Sequence, residues 1–433
     1  MKDRNALASA LASLVSDAEL EQVARETGFV VRQRKVQVVV LFWTLVLGMQ
    51  AMRISSLSGL QRLYQELTET MLASASFQER FTRPMVAWLR VVFERAVARL
   101  AAHRPGLKGL LAGFEEVTVI DSTVLRLHRV LASRFPGNRT NHSPAAAKVN
   151  VRYDLRGGRI AAATIAPETR SETRFLDPGP GCRGQLLLFD LGYFKLQHFL
   201  RIHRNGGFFL TRLKEGSGAV VTAVHSVCRG NRIDPVGQKV RDLLPRLQRE
   251  VLDAEVTYQV HKRGMKGRPA KSRKPHALRL RFVAIRHPKT GKYHTYLTNI
   301  PPAVAPAPAV ADMYRLRWHV ELLFAQLKSG AGLNAWPARK EPLALAGVYA
   351  ALLAVLVNRR LLALLRERLA AAPAWDGRRI PTTRWARVFG AHARAILDIA
   401  LGLRREGALL ALMLAEAIEP KRRNPRLDAR WSL

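Results

Sequence analysis

The chain has 433 residues, with 70 Lys+Arg against 33 Asp+Glu, a formal net charge of +37 at pH 7 and 48% hydrophobic residues. That length suits about two to four domains, and the apolar share can fill real cores, which excludes a basic disordered tail. The positive excess repels itself in the compact state, so it points to a polyanionic partner, nucleic acid or an anionic membrane surface, and away from a small-metabolite enzyme.

Residues 1 to about 110 read as helical, rich in Ala, Leu, Arg and Glu, with apolar residues at helical spacing such as Leu11, Leu14 and Val15; Pro105-Gly106 is a breaker near the end. The start of the chain does not read as a signal peptide. Cys182 and Cys228 stand in no metal-binding spacing, which argues against a disulfide framework and zinc fingers and fits a reducing compartment. Two uncharged stretches, Val36 to Met52 and Pro342 to Asn358, are at the lower limit of length for a membrane span and read as buried helices rather than as spans.

From Phe114 the texture changes to strands. Val117 to Asp121 is a β-branched run ending in a carboxylate. Lys148 to Leu155 and Arg159 to Ala166 flank Gly157-Gly158 as a hairpin. Leu186 to Phe189 is an apolar run ending at Asp190, followed by a helix from Lys195 to Arg204 and a strand from Phe208 to Leu213. This order predicts a mixed α/β sheet. A polar helix at about Val236 to Gln248 and strands at Ala254 to Val260, Leu278 to Arg286 and Tyr293 to Thr298 read as a β-rich insertion. A helix follows from about Ala311 to Ser329, and residues 340 to about 418 are again helical. The domain reading is therefore a helical region over 1–112, the α/β core over 113–213 and 301–340, the insertion over 214–300, and a helical region over 341–433.

Asp121 and Asp190 each end a buried-looking strand, where a charge is costly unless it is exposed at the sheet edge or holds something. A third acid, Glu321, sits in the helix after the insertion. Three acids on two strands and a helix would suit hard cations, and two metals about 4 Å apart would suit phosphodiester chemistry. Taken singly, each acid reads rather as a solvated turn or surface charge than as a ligand. Tyr314, Arg317 and Lys328 surround Glu321 in the pattern Y-x2-R-x3-E-x6-K. At about 100° per residue these four fall on one stripe within roughly 60°. Such a face suits a cation flanked by phosphates, or else an exposed Arg–Glu pair, while Leu316, Val320, Leu323 and Leu327 supply a core face. On the same projection His319 points away from the stripe and Trp318 packs beneath the site.

These motifs resemble the IS4-type DDE transposases. Tyr314, Arg317, Glu321 and Lys328 match that family's Y-R-E-K signature, Val119 to Thr123 its Asp-Ser-Thr strand end, and Phe189 to Phe194 its Asp-x-Gly-Tyr-Phe motif. Phe208 to Lys214, with Thr211-Arg212, is similar to the strand that follows. The resemblance covers about 114 to 335. It implies an RNase H-like core interrupted by a β-rich insertion, with Asp121, Asp190 and Glu321 as catalytic ligands of Mg²⁺ or Mn²⁺. It implies cleavage at terminal inverted repeats, passage through a hairpin, and joining of the 3′-hydroxyl to target DNA. Tyr314, Arg317 and Lys328 would hold phosphates, and an aromatic such as Tyr293 or Tyr296 would be a candidate to stack on an unpaired base.

The expected partner is double-stranded DNA, with a homodimer in the synaptic complex, a cytoplasmic, nucleoid-associated location in a bacterium and no membrane. The N-terminal helices would bind the inverted repeats, and the C-terminal helices would support dimerisation. Arg212, Lys262, Arg263, Lys266, Arg268, Lys271, Arg273 and Lys274 are candidate DNA contacts. All but Arg212 lie in an acid-free stretch from His261 to Arg281 that also holds Arg279 and Arg281 and reads as a loop able to track a DNA backbone. Arg126, His128, Arg129, Arg134, Arg139 and His142 form a second basic stretch, and Lys148 and Lys214 are further phosphate candidates. The alternatives are a nuclease or a domesticated DNA-binding regulator on the same scaffold, and a basic membrane-associated protein.

Overall fold

A computed structural model describes residues 5–32, 36–49, 52–102, 106–107, 109–138, 143–225, 233–260, 276–330, 338–371 and 379–419. The N-terminal region is helical, as its composition predicts: α1 (Ala6–Leu14), α2 (Asp17–Glu26), α3 (Val38–Trp43), α4 (Leu57–Thr68), α5 (Ser74–Gln78) and α6 (Arg83–Ala102). Ser16 and Ser56 start α2 and α4, their hydroxyls accepting from Glu19 N–H and Gly59 N–H, donors that the helices leave unpaired. α3 continues into a π-helical turn, Thr44–Gly48, all of it buried.

The sheet begins with β1 (Glu116–Arg126), β2 (Ala146–Asp154), β3 (Arg159–Pro167) and β4 (Gln185–Phe189), followed by α7 (Leu196–Arg204) and β5 (Phe208–Arg212). β2 and β3 form the expected hairpin, with β2 antiparallel to both β3 and β1, whereas β4 and β5 run parallel to β1 and to one another. Four more strands follow: β6 (Val220–Val224), β7 (Val251–Val260), β8 (His276–Arg286) and β9 (Tyr293–Thr298). The complete order is β3-β2-β1-β4-β5-β9-β8-β7-β6 in one nine-stranded sheet among the described residues. The later strands therefore prolong the first five through the antiparallel pairing of β5 with β9.

Two helices depart from the sequence reading. The polar helix expected over 236–248 is cut to α8 (Val240–Leu243) and a 3₁₀ turn, Leu244–Arg246, because Gly237 sits at φ 81° and Pro245 interrupts the helix. The single helix expected over 311–329 is two: α9 (Ala307–Arg315) and α10 (Trp318–Ala325), with a π-helical turn over Gln326–Gly330. At the junction the backbone tightens to i→i−3 bonds, with Leu316, Arg317, His319 and Val320 donating to Met313, Tyr314, Leu316 and Arg317.

The last helices are α11 (Glu341–Ala370), α12 (Thr382–Ala391), α13 (Ala393–Ala400) and α14 (Leu409–Ala417). α11 is long and apolar enough to cross a membrane, but 78% of its most apolar window is buried against the rest of the fold. It packs along α1 and α6, so the helices at the two ends of the chain share one core. Glu406 completes that union: buried, it accepts from Leu7 N–H at 2.6 Å in the first turn of α1.

Candidate active site

The site forms where the parallel pairing stops. β1 and β4 pair as far as Ile120↔Phe189, which places Asp121 and Asp190 side by side just beyond. Asp121 does not end its strand, as the sequence reading expected: β1 runs on to Arg126 because it keeps β2 as a partner, Asp121 facing Val151. Each aspartate turns a carboxylate oxygen onto the next N–H of its own chain, Ser122 and Leu191, both at 2.8 Å. Asp121 is 15% exposed at its side chain. Burial pushes its pKa up to about 6, with Asp190 and Glu172 nearby adding to the rise and the Ser122 N–H and Arg317 opposing it.

The α9–α10 junction lies over these strand ends. Arg317, at the break, donates to Asp121 Oδ2 at 2.6 Å and to Glu321 Oε1 at 2.5 Å, so one guanidinium joins the first and third acids. Its Nε is buried with no hydrogen-bond partner among the described residues. Tyr314 Oη is 3.4 Å from Asp190 Oδ1, and burial, the largest cause, together with that carboxylate holds the phenol up at about 12. Arg212, at the exposed end of β5, lies 5.7 Å from the centre of the Tyr314 ring, and Arg317 lies 5.8 Å from it. Lys328 is half-buried in the π-helical turn and forms no ion pair among the described residues.

The structure therefore gathers Asp121, Asp190, Glu321, Tyr314, Arg317 and Arg212. No three His, Cys, Asp or Glu side chains among the described residues are close enough together to hold a metal ion. The donor chemistry nevertheless suits one: the carboxylates offer hard oxygen ligands, and a cationic group, Arg317, already bridges two of them.

Several expectations fall elsewhere. Lys262, Arg263, Lys266, Arg268, Lys271, Arg273, Lys274, Arg139 and His142 lie outside the described residues. Arg281 is no loop cation: it is buried in β8, paired through two nitrogens with Asp253 and donating to the Ala305 carbonyl at 2.7 Å. Lys148 is also buried, donating to the Arg170 carbonyl. Trp318 does not pack beneath the site but stands 61% exposed, because the tightened junction breaks the uniform helical projection. Tyr296 is buried with its ring against Tyr314, and the Tyr293 hydroxyl donates to the Arg249 carbonyl. His319 has its Nδ1 2.9 Å from the Leu316 carbonyl.

One participant escapes the sequence reading. Glu172, in a 3₁₀ turn after β3, accepts from Ser122 Oγ at 2.6 Å and lies 3.8 Å from Lys148 Nζ. Nothing in its local sequence signals this, because the interaction spans fifty residues of chain.

Residues 112–357 match the family described as "Transposase DDE domain". The chain is 22% identical over 364 residues to the transposase for insertion sequence element IS231B of Bacillus thuringiensis subsp. berliner, a match covering 78% of this chain and 76% of the relative. It is 25% identical over 336 residues to the transposase for IS231F of Bacillus thuringiensis subsp. israelensis, covering 72% of this chain and 70% of the relative. Among solved structures, piggyBac transposase in a synaptic complex with hairpin DNA aligns at a TM-score of 0.48 and 10% identity, covering 99% of this chain and 88% of that one.

Proposed function

This chain belongs to the transposase DDE-domain family, and from that premise we propose that it cleaves DNA at the terminal inverted repeats of an insertion sequence and joins the freed 3′-hydroxyl ends to target DNA, passing through a hairpin. The observation that carries the reading is the meeting of Asp121 and Asp190 at the ends of parallel pairing, with Arg317 joining Asp121 to Glu321. The order β3-β2-β1-β4-β5, with only β2 antiparallel to its neighbours, supports an RNase H-like core, and the stretch over 214–300 supports the reading of an insertion that prolongs its sheet.

Asp121, Asp190 and Glu321 are the residues to hold Mg²⁺ or Mn²⁺, which when bound supplies Lewis acidity to the scissile phosphate and its nucleophile. The chain's own side chains do the rest. Arg317 pairs with both Asp121 and Glu321 and offsets part of their charge. Tyr314 orients Asp190, and Arg212 and Lys328 stand at the rim to hold the DNA backbone. The basic residues between 261 and 275, outside the described residues, are further candidates to hold DNA, and a homodimer is the expected synaptic form.

The test is strand cleavage on duplexes carrying the element's own ends, with Mg²⁺ or Mn²⁺. Asp121→Ala, Asp190→Ala and Glu321→Ala should each abolish cutting and leave end binding intact. Lys328→Ala should weaken both with less total loss. If all three acid variants still cut, the site is elsewhere.

A further inference from the structure

Glu172 is a carboxylate placed near Asp121, an unfavourable choice for mere filling, since like charges oppose one another's ionisation. It stands between the two segments that follow the aspartates. Ser122, next after Asp121, gives its hydroxyl proton to Glu172 Oε1 at 2.6 Å. Gly192, two after Asp190, lies so close that a Cβ built there would stand 1.5 Å from Glu172 Oε2. The φ of Gly192 is not in the left-handed region, so its backbone would accept alanine, and what requires glycine is the proximity of this carboxylate. Lys148, buried on β2, offsets the charge from 3.8 Å. Tyr193 and Asn150 hydrogen-bond to each other behind this cluster, and Asn150 reaches the Asp121 carbonyl at 3.4 Å, which ties it to β2.

We propose that Glu172 is a positioning residue of the active site: its carboxylate pins the chain after Asp121 to the chain after Asp190 and so sets how the two aspartates face one another. The inference rests on the reading that these aspartates hold a divalent cation. Removing the pin should loosen that pair and weaken cation binding. Alanine at position 192 should do the same by evicting the carboxylate, the flexible partner, while the backbone stays in place.

The experiment is Mn²⁺ titration of the full chain, followed by the paramagnetic resonance signal of free Mn²⁺, with thermal unfolding of every variant alongside. Glu172→Ala and Gly192→Ala should each weaken binding by about tenfold or more, the scale for residues that orient ligands. Glu172→Gln, which still accepts from Ser122, should lose clearly less than Glu172→Ala. The double variant Glu172→Ala/Gly192→Ala should be no worse than Glu172→Ala alone, because both changes remove the same interaction. Binding that Asp121→Ala abolishes and Glu172→Ala leaves unchanged would overturn the positioning role alone, as would additive losses in the double variant or a Gln variant as weak as the Ala variant. Wild-type protein with no Mn²⁺ binding that depends on Asp121 would sink the metal-site reading, and this inference with it. If Glu172→Ala unfolds, Gly192→Ala and Glu172→Gln carry the same test.

Discussion

Asp121 combines the features that make a carboxylate useful in this site: it is mostly buried, close to other acids and offset by one guanidinium. With its pKa near 6 rather than the usual 3.8, the folded chain binds more protons than the unfolded chain between those values. The cation-free protein should therefore lose stability as pH rises through that window, a trend that Asp121→Asn would flatten in urea titrations across pH. Mn²⁺ binding should move the opposite way, weakening below about pH 6 as the proton competes, with proton release on binding measurable by calorimetry in buffers of different ionisation heat. Constant affinity between pH 5 and pH 7 would contradict this. At this scale the sequence is an uneven guide. Asp121, Asp190 and Glu321 are legible because each sits in a patterned motif, whereas Arg281 looks like a loop cation until its pairing with Asp253 is seen. Glu172 carries no local signal, since its partners Ser122 and Lys148 come from other strands.

Among elements, the strands are legible and the helix of the third acid is only half so. β2, β3, β4 and β5 follow from alternation, apolar runs and glycine turns, which are short-range signals. The break between α9 and α10 has no proline or glycine within it. It follows from how Leu316, Val320 and Leu323 seat in the core while Tyr314 and Arg317 reach the acids, which a uniform 100° projection cannot represent. That is also why the projection misplaces Trp318. The start of α1 is likewise secured from a distance, by Glu406. A buried charge-assisted bond of this kind contributes about 2 kcal/mol, so Glu406→Ala should destabilise the fold by roughly that amount in chemical denaturation. A variant as stable as the parent would show that α1 needs no partner from the other end of the chain.

For the whole molecule, the net charge of +37 becomes a statement about DNA. If the basic residues at 262–274 follow the phosphate backbone, replacing Lys262, Arg263, Lys266 and Arg268 by Gln should flatten the dependence of log affinity on log salt, by about 0.9 for each phosphate no longer neutralised. It should weaken binding to all duplexes alike, since interactions with phosphates carry no sequence information. An unchanged slope would place the DNA-facing charge elsewhere. From sequence alone, composition pointed to a polyanionic partner, and short-range patterns determined the mixed α/β class, most strand positions and the helical ends, and singled out three acids as candidates. All but the first are written in the order of neighbouring residues. Tertiary structure alone decided that the later strands continue one sheet through β9, that α11 joins the two ends of the chain in one core, that Arg317 bridges Asp121 and Glu321, and that Glu172 stands against Gly192. Those pairings join residues far apart along the chain, set by where packing brings whole elements to rest, and no local pattern encodes them.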